Sequence, residues 1–503
     1  MLFVLGLISL LTFITWQYYK KTKLPPGPYP WLFFGNIPEL LYLSLFEKLD
    51  ILEIYQWLMQ KYGKVFTLWL GPMPTVNICD YEVMYDVFVR RGNEHSRRYE
   101  VPFLCLPRSD NSGKIHGVMM SNDDLWNEHR KFIVRVLKNF GIGKGIIEDR
   151  IMDEFERQFA GVEKKMENGS ATIDFSKLVD LCIGNTINRI IFGYRFDEDN
   201  YKNFHSVKVP LDEAYANVTT FHNFLRSWFK SLPYLNKFYD NIMIPQEKVL
   251  KFAEMEAKKR HEAIENGTYS LEGEPMDFID AYLMEQRRLG GNETTMNDFG
   301  LYTDILDLWV GGQETTSLTL NWAFIFLLRH PEVVEKCRKE IHMATDGIRD
   351  VRVSDKESTP YVNATITEIL RLSHILNLNL MRETIGESKF GDYTVPAGTK
   401  FSPVVSVIMM DPKNFEQPNQ FRPERFIENP SKAELVVPFL IGRRVCFGEP
   451  LARNELYLFI TNVLQRYAIA EDPKCPLEKE VRVRLDGWIN RVKPYKMKLT
   501  KLN

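Results

Sequence analysis

A mainly helical α+β chain is predicted by three observations. Apolar residues recur at helical spacing across residues 145–167, 245–265, 277–288, 298–328, 331–344, 361–373 and 449–466, the pattern of helices that bury one face. Strand-like alternation is confined to two stretches: Lys64 to Cys79 around Gly71-Pro72, and Lys389 to Phe401 around Gly391-Asp392 and Ala397-Gly398. Length alone suggests about three domains for 503 residues. No stretch has the composition of an interdomain linker, so residues 31–503 are expected to form a single catalytic body.

The N-terminus is read separately. Residues 2–19 carry no charge, and as a helix they would span about 27 Å against a hydrocarbon core near 30 Å. No basic residue precedes this stretch, whereas Lys20, Lys21 and Lys23 follow it. That polarity is backward for a cleaved signal peptide and sets the body on the cytosolic side. Residues 1–23 are therefore expected to be a transmembrane anchor helix with a basic stop. Residues 24–30, with Leu24-Pro25-Pro26-Gly27-Pro28, read as a stiff hinge. A cleaved leader is the competing reading, and no small-x-small cleavage site supports it.

Two internal segments remain open at this level. The run Gly141-Ile142-Gly143-Lys144-Gly145 lacks the spacing of a dinucleotide loop and is read as a turn between helices. Residues 221–239 combine Phe221, Phe224, Trp228, Phe229, Tyr234, Phe238 and Tyr239 with Arg226, Lys230 and Lys237. Such a mixture suits a membrane interface, and equally a buried helix pair over a pocket.

Composition excludes several function classes. A net charge of -2 gives no reason to expect nucleic acid. Cys79, Cys105, Cys182, Cys337, Cys446 and Cys475 show no C-x-x-C and no pairing rhythm, which argues against a disulfide framework or a zinc site and for a reducing environment. The nine histidines have no metal-ligand spacing.

One cysteine stands apart. Phe439, Gly442, Arg444, Cys446 and Gly448 satisfy the pattern Phe-x-x-Gly-x-Arg-x-Cys-x-Gly, whose glycines let backbone wrap closely around a sulfur and whose arginines favour a thiolate. A buried structural thiol is the ordinary fate of a lone cysteine. Upstream, Gly311-Gly312-Gln313-Glu314-Thr315-Thr316 interrupts a long apolar helix. Adjacent glycines cost a helix roughly 2 kcal/mol, as if something flat must approach the backbone there. The Thr315 hydroxyl can turn back to the carbonyl of Gly311. A polar kink in a core helix is the plainer account. Glu368 and Arg371 stand at i and i+3, Trp126 and Arg130 at i and i+4, and Phe421-Arg422-Pro423-Glu424-Arg425-Phe426 lies between the helical stretches. By spacing alone Glu368 and Arg371 would be a solvated pair, and Trp126 and Arg130 a buried indole beside a surface arginine.

Taken together and in this order, the motifs resemble those of the cytochrome P450 family of haem-thiolate monooxygenases, in its animal microsomal branch, from the hinge to the last helix. That resemblance implies the family's fold: a helical bundle around a haem with small β-sheets, plus the N-terminal anchor. It implies that Cys446 ligates the iron of haem b, that Glu314 relays protons and that Thr315 steadies oxygen. Arg444, Trp126, Arg130 and Arg382 would hold the haem propionates, although the register around Asn377 and Arg382 departs from the common pattern. Glu368, Arg371 and Arg425 would form a buried structural triad. The branch further implies an endoplasmic reticulum location, O2, and NADPH electrons from a flavoprotein reductase, with cytochrome b5 as a second donor. The substrate would be a small lipophilic xenobiotic, fatty acid or steroid. Arg130, Lys131, Arg135, Lys138, Arg443 and Arg453 are expected to form a basic docking face. A reductase-independent isomerase or dehydratase would keep Cys446 but need no Glu314-Thr315 pair, and a haem sensor would need Cys446 alone.

Overall fold

The computed structural model describes residues 2–141, 145–197, 201–291, 294–475, 477 and 489–502. Residues 142–144, within the expected interhelical turn, lie outside them. Numbering only helices of 12 residues or more, the chain opens with α1 (Leu2–Thr22) and α2 (Ile51–Tyr62), followed by strands β1 (Val65–Leu70) and β2 (Met73–Ile78). Next come α3 (Asp123–Asn139), α4 (Gly145–Glu163), β3 (Ser170–Asp174), α5 (Phe175–Ile191), α6 (Tyr201–Ala216), α7 (Leu235–Glu265) and α8 (Phe278–Leu289). The central helix α9 (Asp298–Arg329) leads into α10 (Pro331–Thr345) and α11 (Pro360–Ser373). After β4 (Arg382–Glu383), β5 (Ser388–Phe390), β6 (Tyr393–Val395) and β7 (Lys400–Pro403), the chain closes with α12 (Glu449–Arg466), β8 (Tyr467–Glu471) and β9 (Lys496–Lys501).

Each expected helical stretch is a helix. The largest shift is in α7, which begins ten residues early and carries Pro245 inside it. Local chemistry sets the boundaries. The Asn297 side chain accepts from Gly300 N at 2.7 Å to start α9, and Asp277 does the same for α8 by accepting from Asp280 N at 2.9 Å. Gly290, at φ +106°, ends α8 in the left-handed conformation. Both strand stretches also form. β1 and β2 pair antiparallel, and β7 runs parallel to β2 in the four-stranded order β1-β2-β7-β4. A second sheet, β3-β9-β8, was not expected. Its signal was present in Met497 and Leu499, buried between exposed Lys496 and Lys498.

Helix α9 is buried on nearly every face, which explains an apolar run too uniform to show one stripe. It packs most extensively on α5 and also against α7, α11 and α12. Below it, Arg371 Nε donates to Glu368 Oε2 at 2.7 Å and Arg425 Nε to Glu368 Oε1 at 3.1 Å, all three side chains being buried. The remaining guanidinium donors reach the carbonyls of Met409 at 3.0 Å, Pro418 at 2.8 Å and Glu416 at 2.8 Å. The solvated alternative for these residues is thereby excluded. Removing one member would leave an uncompensated buried charge, a cost of about 3–5 kcal/mol.

Helix α1 forms where expected, but no helix among the described residues is long and apolar enough to cross a membrane. Ser9, Thr12 and Thr15 turn their hydroxyls onto carbonyls four residues back. The second half leans on the body, where Phe13 stacks on Phe33 at 4.8 Å, Trp16 meets Trp69 edge-on at 6.1 Å and Gln17 is buried. Residues 221–239 are not a buried helix pair. They form two short 3₁₀ turns, Thr220–Phe224 and Ser227–Ser231, before α7 starts, with Phe221 and Trp228 exposed.

Candidate active site

A cavity of about 300 Å³ separates α9 from the loop that precedes α12. Cys446 lines it, and none of the other five cysteines does. The loop is fixed by Gly442, at φ +81°, where a Cβ would stand 1.8 Å from the carbonyl oxygen of Phe88. Only glycine fits there. Cys446 N donates to Phe439 O at 3.0 Å, and the sulfur accepts from the backbone N–H groups of Gly448 and Glu449. Burial pushes the thiol up, while the two N–H groups and Arg130 draw it back. Cys446 is accessible and at the same time closely surrounded by protein, because the cavity is the space its sulfur faces. Gly448 differs from expectation. Its φ of -84° suits any residue, and a Cβ would meet the sulfur at an ordinary 3.8 Å.

Across the cavity, Thr315 Oγ1 donates to Gly311 O at 2.8 Å, as the sequence predicts. The two glycines serve different purposes. A Cβ on Gly311 would meet nothing within 4 Å, and this residue is exposed in mid-helix because it faces the cavity. A Cβ on Gly312 would lie 2.6 Å from Ile187 Cδ1, so this glycine admits α5 rather than a flat ligand. Glu314 is buried and paired with Arg491 at 3.1 Å and Lys208 at 3.7 Å.

At the rim stand Arg98, Arg130, Arg382 and Arg444, none of which forms an ion pair among the described residues. Their contacts are to neutral groups. Arg130 Nη2 donates to Val445 O at 2.7 Å, Arg98 Nη1 to Leu380 O at 3.0 Å, and Arg444 Nε to Ser96 O at 3.0 Å. The Arg444 guanidinium also lies 3.8 Å from the centre of the Trp126 ring. Buried donors are left over: Arg98 Nε, Arg382 Nε and Nη2, Arg444 Nη1 and Trp126 Nε1. Burial, compounded by mutual repulsion, brings Arg444 down to about 7 and Arg98 to about 9, and drives Arg382 well below its usual range. Buried donors and cations of this kind require an anion. Two carboxylates on one rigid plane, with a thiolate ligand beneath, match the donors present, so these residues fit a haem. Among the described residues no group of three or more His, Cys, Asp or Glu side chains could hold a metal ion.

Trp126, Arg130, Arg444, Phe439, Cys446, Gly448, Gly311, Gly312, Glu314 and Thr315 thus converge on one space, with Gly442 shaping the loop behind it; Arg382 does not line the cavity but stands over the Phe88 ring beside the rim arginines. Arg98 was not legible in the sequence. It sits in a loop with no motif, and its link to the site is the backbone bridge to Arg382. The segment Ser373 to Leu380, which contributes Ile375 and Leu376 to the wall, was also missed.

A lone cysteine facing an acid-alcohol helix across an apolar cavity with a cationic rim is the arrangement of a haem-thiolate oxygenase. The sequence model described as Cytochrome P450 matches residues 25–499. The chain is 32% identical to probable cytochrome P450 cyp-35D1 of Caenorhabditis elegans, over 96% of each chain. It is also 32% identical to cytochrome P450 2A3 of Rattus norvegicus, over 94% of this chain and 92% of that one, and to cytochrome P450 2A6 of Homo sapiens, over 96% and 94%. The chain belongs to the cytochrome P450 family and is a monooxygenase.

Replacing Arg98 and Arg382 together by alanine should move two quantities in opposite directions. Haem retention on gel filtration should weaken by roughly tenfold per lost charged hydrogen-bond partner, while the haem-free protein should melt at a higher temperature because like charges have been removed. Unchanged haem retention would contradict the assignment of the rim.

Proposed function

We propose that this chain inserts one atom of O2 into a small lipophilic molecule of the xenobiotic, fatty acid or steroid type. NADPH-derived electrons would arrive from a flavoprotein reductase, with cytochrome b5 as a second donor. The supporting observation is that Cys446 and the Gly311–Thr315 turn of α9 face each other across one cavity whose walls include Val118, Ile187, Val310, Leu370 and Ile489. Such walls exclude water and favour an apolar substrate. Cys446 would ligate haem iron, with Arg98, Trp126, Arg130, Arg382 and Arg444 on its two carboxylates. Bound there, haem b supplies reductive activation of oxygen, which an axial thiolate favours by pushing electron density toward the metal.

The chain's own residues do the rest. The Thr315 hydroxyl gives its hydrogen to Gly311 O, so its lone pairs remain to hold a water in the cavity. Glu314, one residue earlier and buried, is placed to pass protons into that water. The sequence carries no flavin or dinucleotide motif, so electrons must come from another protein. Arg135 is engaged by Glu285 at 2.8 Å and Arg453 by Glu449 at 2.8 Å, which leaves Lys131, Lys138 and Arg443 to carry a basic docking face.

We place the protein at the endoplasmic reticulum membrane, with its body toward the cytosol. Six free cysteines support a reducing surrounding. Trp31, Phe34 and Phe46 expose more than half of their surface, as do Phe221 and Trp228. The two groups adjoin at Gly71, whose Cβ position is 3.1 Å from Phe224 and 3.4 Å from the carbonyl of Phe33. An aromatic patch of this kind favours the headgroup region. A chain beginning at Leu24 should still float with liposomes, and loss of all binding would confine membrane contact to α1.

Thr315→Ala should bind substrate and consume NADPH with added reductase at close to the parent rate. Product per NADPH should fall several-fold while hydrogen peroxide rises to match. Equal product yield in variant and parent would overturn the role of Thr315.

A further inference from the structure

His374 closes α11 and lines the cavity between α9 and the cysteine loop, yet it has no part in the haem site described above. It holds φ +45°, a left-handed conformation that a residue with a Cβ rarely adopts. The backbone around it is fixed in place. Asn490 Nδ2 donates to Ser373 O at 2.8 Å and Asn490 N to Ile375 O at 2.9 Å, while Trp322 Nε1 of α9 donates to Asn490 O at 3.1 Å. The carbonyls on either side of His374 are thus bound to one asparagine, whose neighbour Ile489 also lines the cavity. Capping α11 explains this backbone but not the imidazole, since glycine or asparagine ends a helix equally well.

His374 is only 5% exposed, and neither ring nitrogen makes a hydrogen bond among the described residues. Nδ1 is sealed; Nε2 is the nitrogen left facing open space, and the space that His374 lines is the cavity. A buried polar group without a partner calls for an explanation. Asp307 shows how the same cavity closes such a group, because Oδ1 accepts from Arg108 Nε at 2.7 Å and Oδ2 from Met119 N at 2.7 Å. Burial, reinforced by the Arg371 charge, brings the imidazole down to about 3, so the ring is neutral and carries one hydrogen. An N–H sealed without an acceptor costs more than a bare lone pair, which puts that hydrogen on Nε2. The cavity therefore receives an uncharged donor among the apolar side chains of Leu370, Leu376 and Ile489.

We propose that His374 is a specificity-determining residue, donating through Nε2–H to an uncharged oxygen acceptor, a ketone, ester or hydroxyl, on the lipophilic substrate. The inference rests on the cavity being the substrate site, as proposed above, and narrows the substrate class within that reading. A free carboxylate is disfavoured, because a neutral donor gives it no counter-charge and the rim arginines are committed to the haem. The hydrogen bond fixes one end of the substrate, so the carbon to be oxidised is chosen by its distance from that oxygen.

Benzophenone and diphenylmethane, alike except that a carbonyl replaces a methylene, test this with the haem-loaded full chain. By equilibrium dialysis the parent should bind benzophenone about tenfold tighter, the worth of one buried hydrogen bond, and the carbonyl stretching band should move to lower frequency on binding. His374→Leu should erase the preference while haem content and diphenylmethane affinity stay at the parent's values. His374→Gln, which keeps a neutral N–H donor, should retain part of it, and diphenylacetate should bind the parent more weakly than benzophenone. If the parent binds ketone and hydrocarbon equally, or His374→Leu keeps the preference, the donor role is overturned while the cavity remains the substrate site. If neither compound binds, the cavity reading fails and the inference fails with it. Should His374→Leu not hold haem, the parent's carbonyl band decides, and an unshifted band overturns the proposal.

Discussion

Three buried guanidinium groups and a half-buried fourth, with no anion paired to them among the described residues, are the constraint on which the rest of the structure turns. Burying cations is costly unless they are paired. The same chain shows how it closes such charges when the purpose is structural. Glu368 receives both Arg371 and Arg425, and the spare donors end on carbonyls. At the rim, Arg98, Arg130, Arg382 and Arg444 have carbonyl and aromatic partners but no carboxylate among the described residues. The protein thus stores an electrostatic deficit of a size and shape that a dianionic planar cofactor makes good, and in this account haem binding and folding stability are linked.

The two walls of the cavity follow from that deficit. The cysteine loop can stand under the rim because Gly442 lets the backbone pass against Phe88. Helix α9 is buried on nearly every face, and it opens toward the cavity at Gly311 while Gly312 lets Ile187 press in from α5. Several of its polar residues fasten it to neighbours. Asp307 pairs with Arg108 at 2.7 Å and Asp304 with His129 at 2.6 Å. Glu314 meets Lys208 of α6 at 3.7 Å, so the charges along one helix fasten neighbouring elements.

Much of this was legible in the residues. Helical periodicity located α8 to α12 within a few positions because caps, glycines and prolines mark their ends. The five fixed positions around Cys446 marked a loop that lines the cavity, and the i, i+3 spacing of Glu368 and Arg371 identified a real pair. What spacing could not supply was burial, which turns an exposed pair of small worth into a structural one. Arg98 escaped because its partner in space, Arg382, is almost 300 positions away. Gly312 was misread for the same reason, since only the tertiary contact with Ile187 distinguishes it from Gly311. The lean of α1 on the body, with Phe13 stacked on Phe33, was likewise invisible in its composition.

The central claim is that Cys446 is the protein ligand to haem iron, and the most direct measurement is the absorption spectrum of the reduced carbon monoxide complex. The parent should show the red-shifted band of a thiolate adduct, and Cys446→His should lose it while still binding haem through the arginine rim. Retention of that band by Cys446→His would contradict the account.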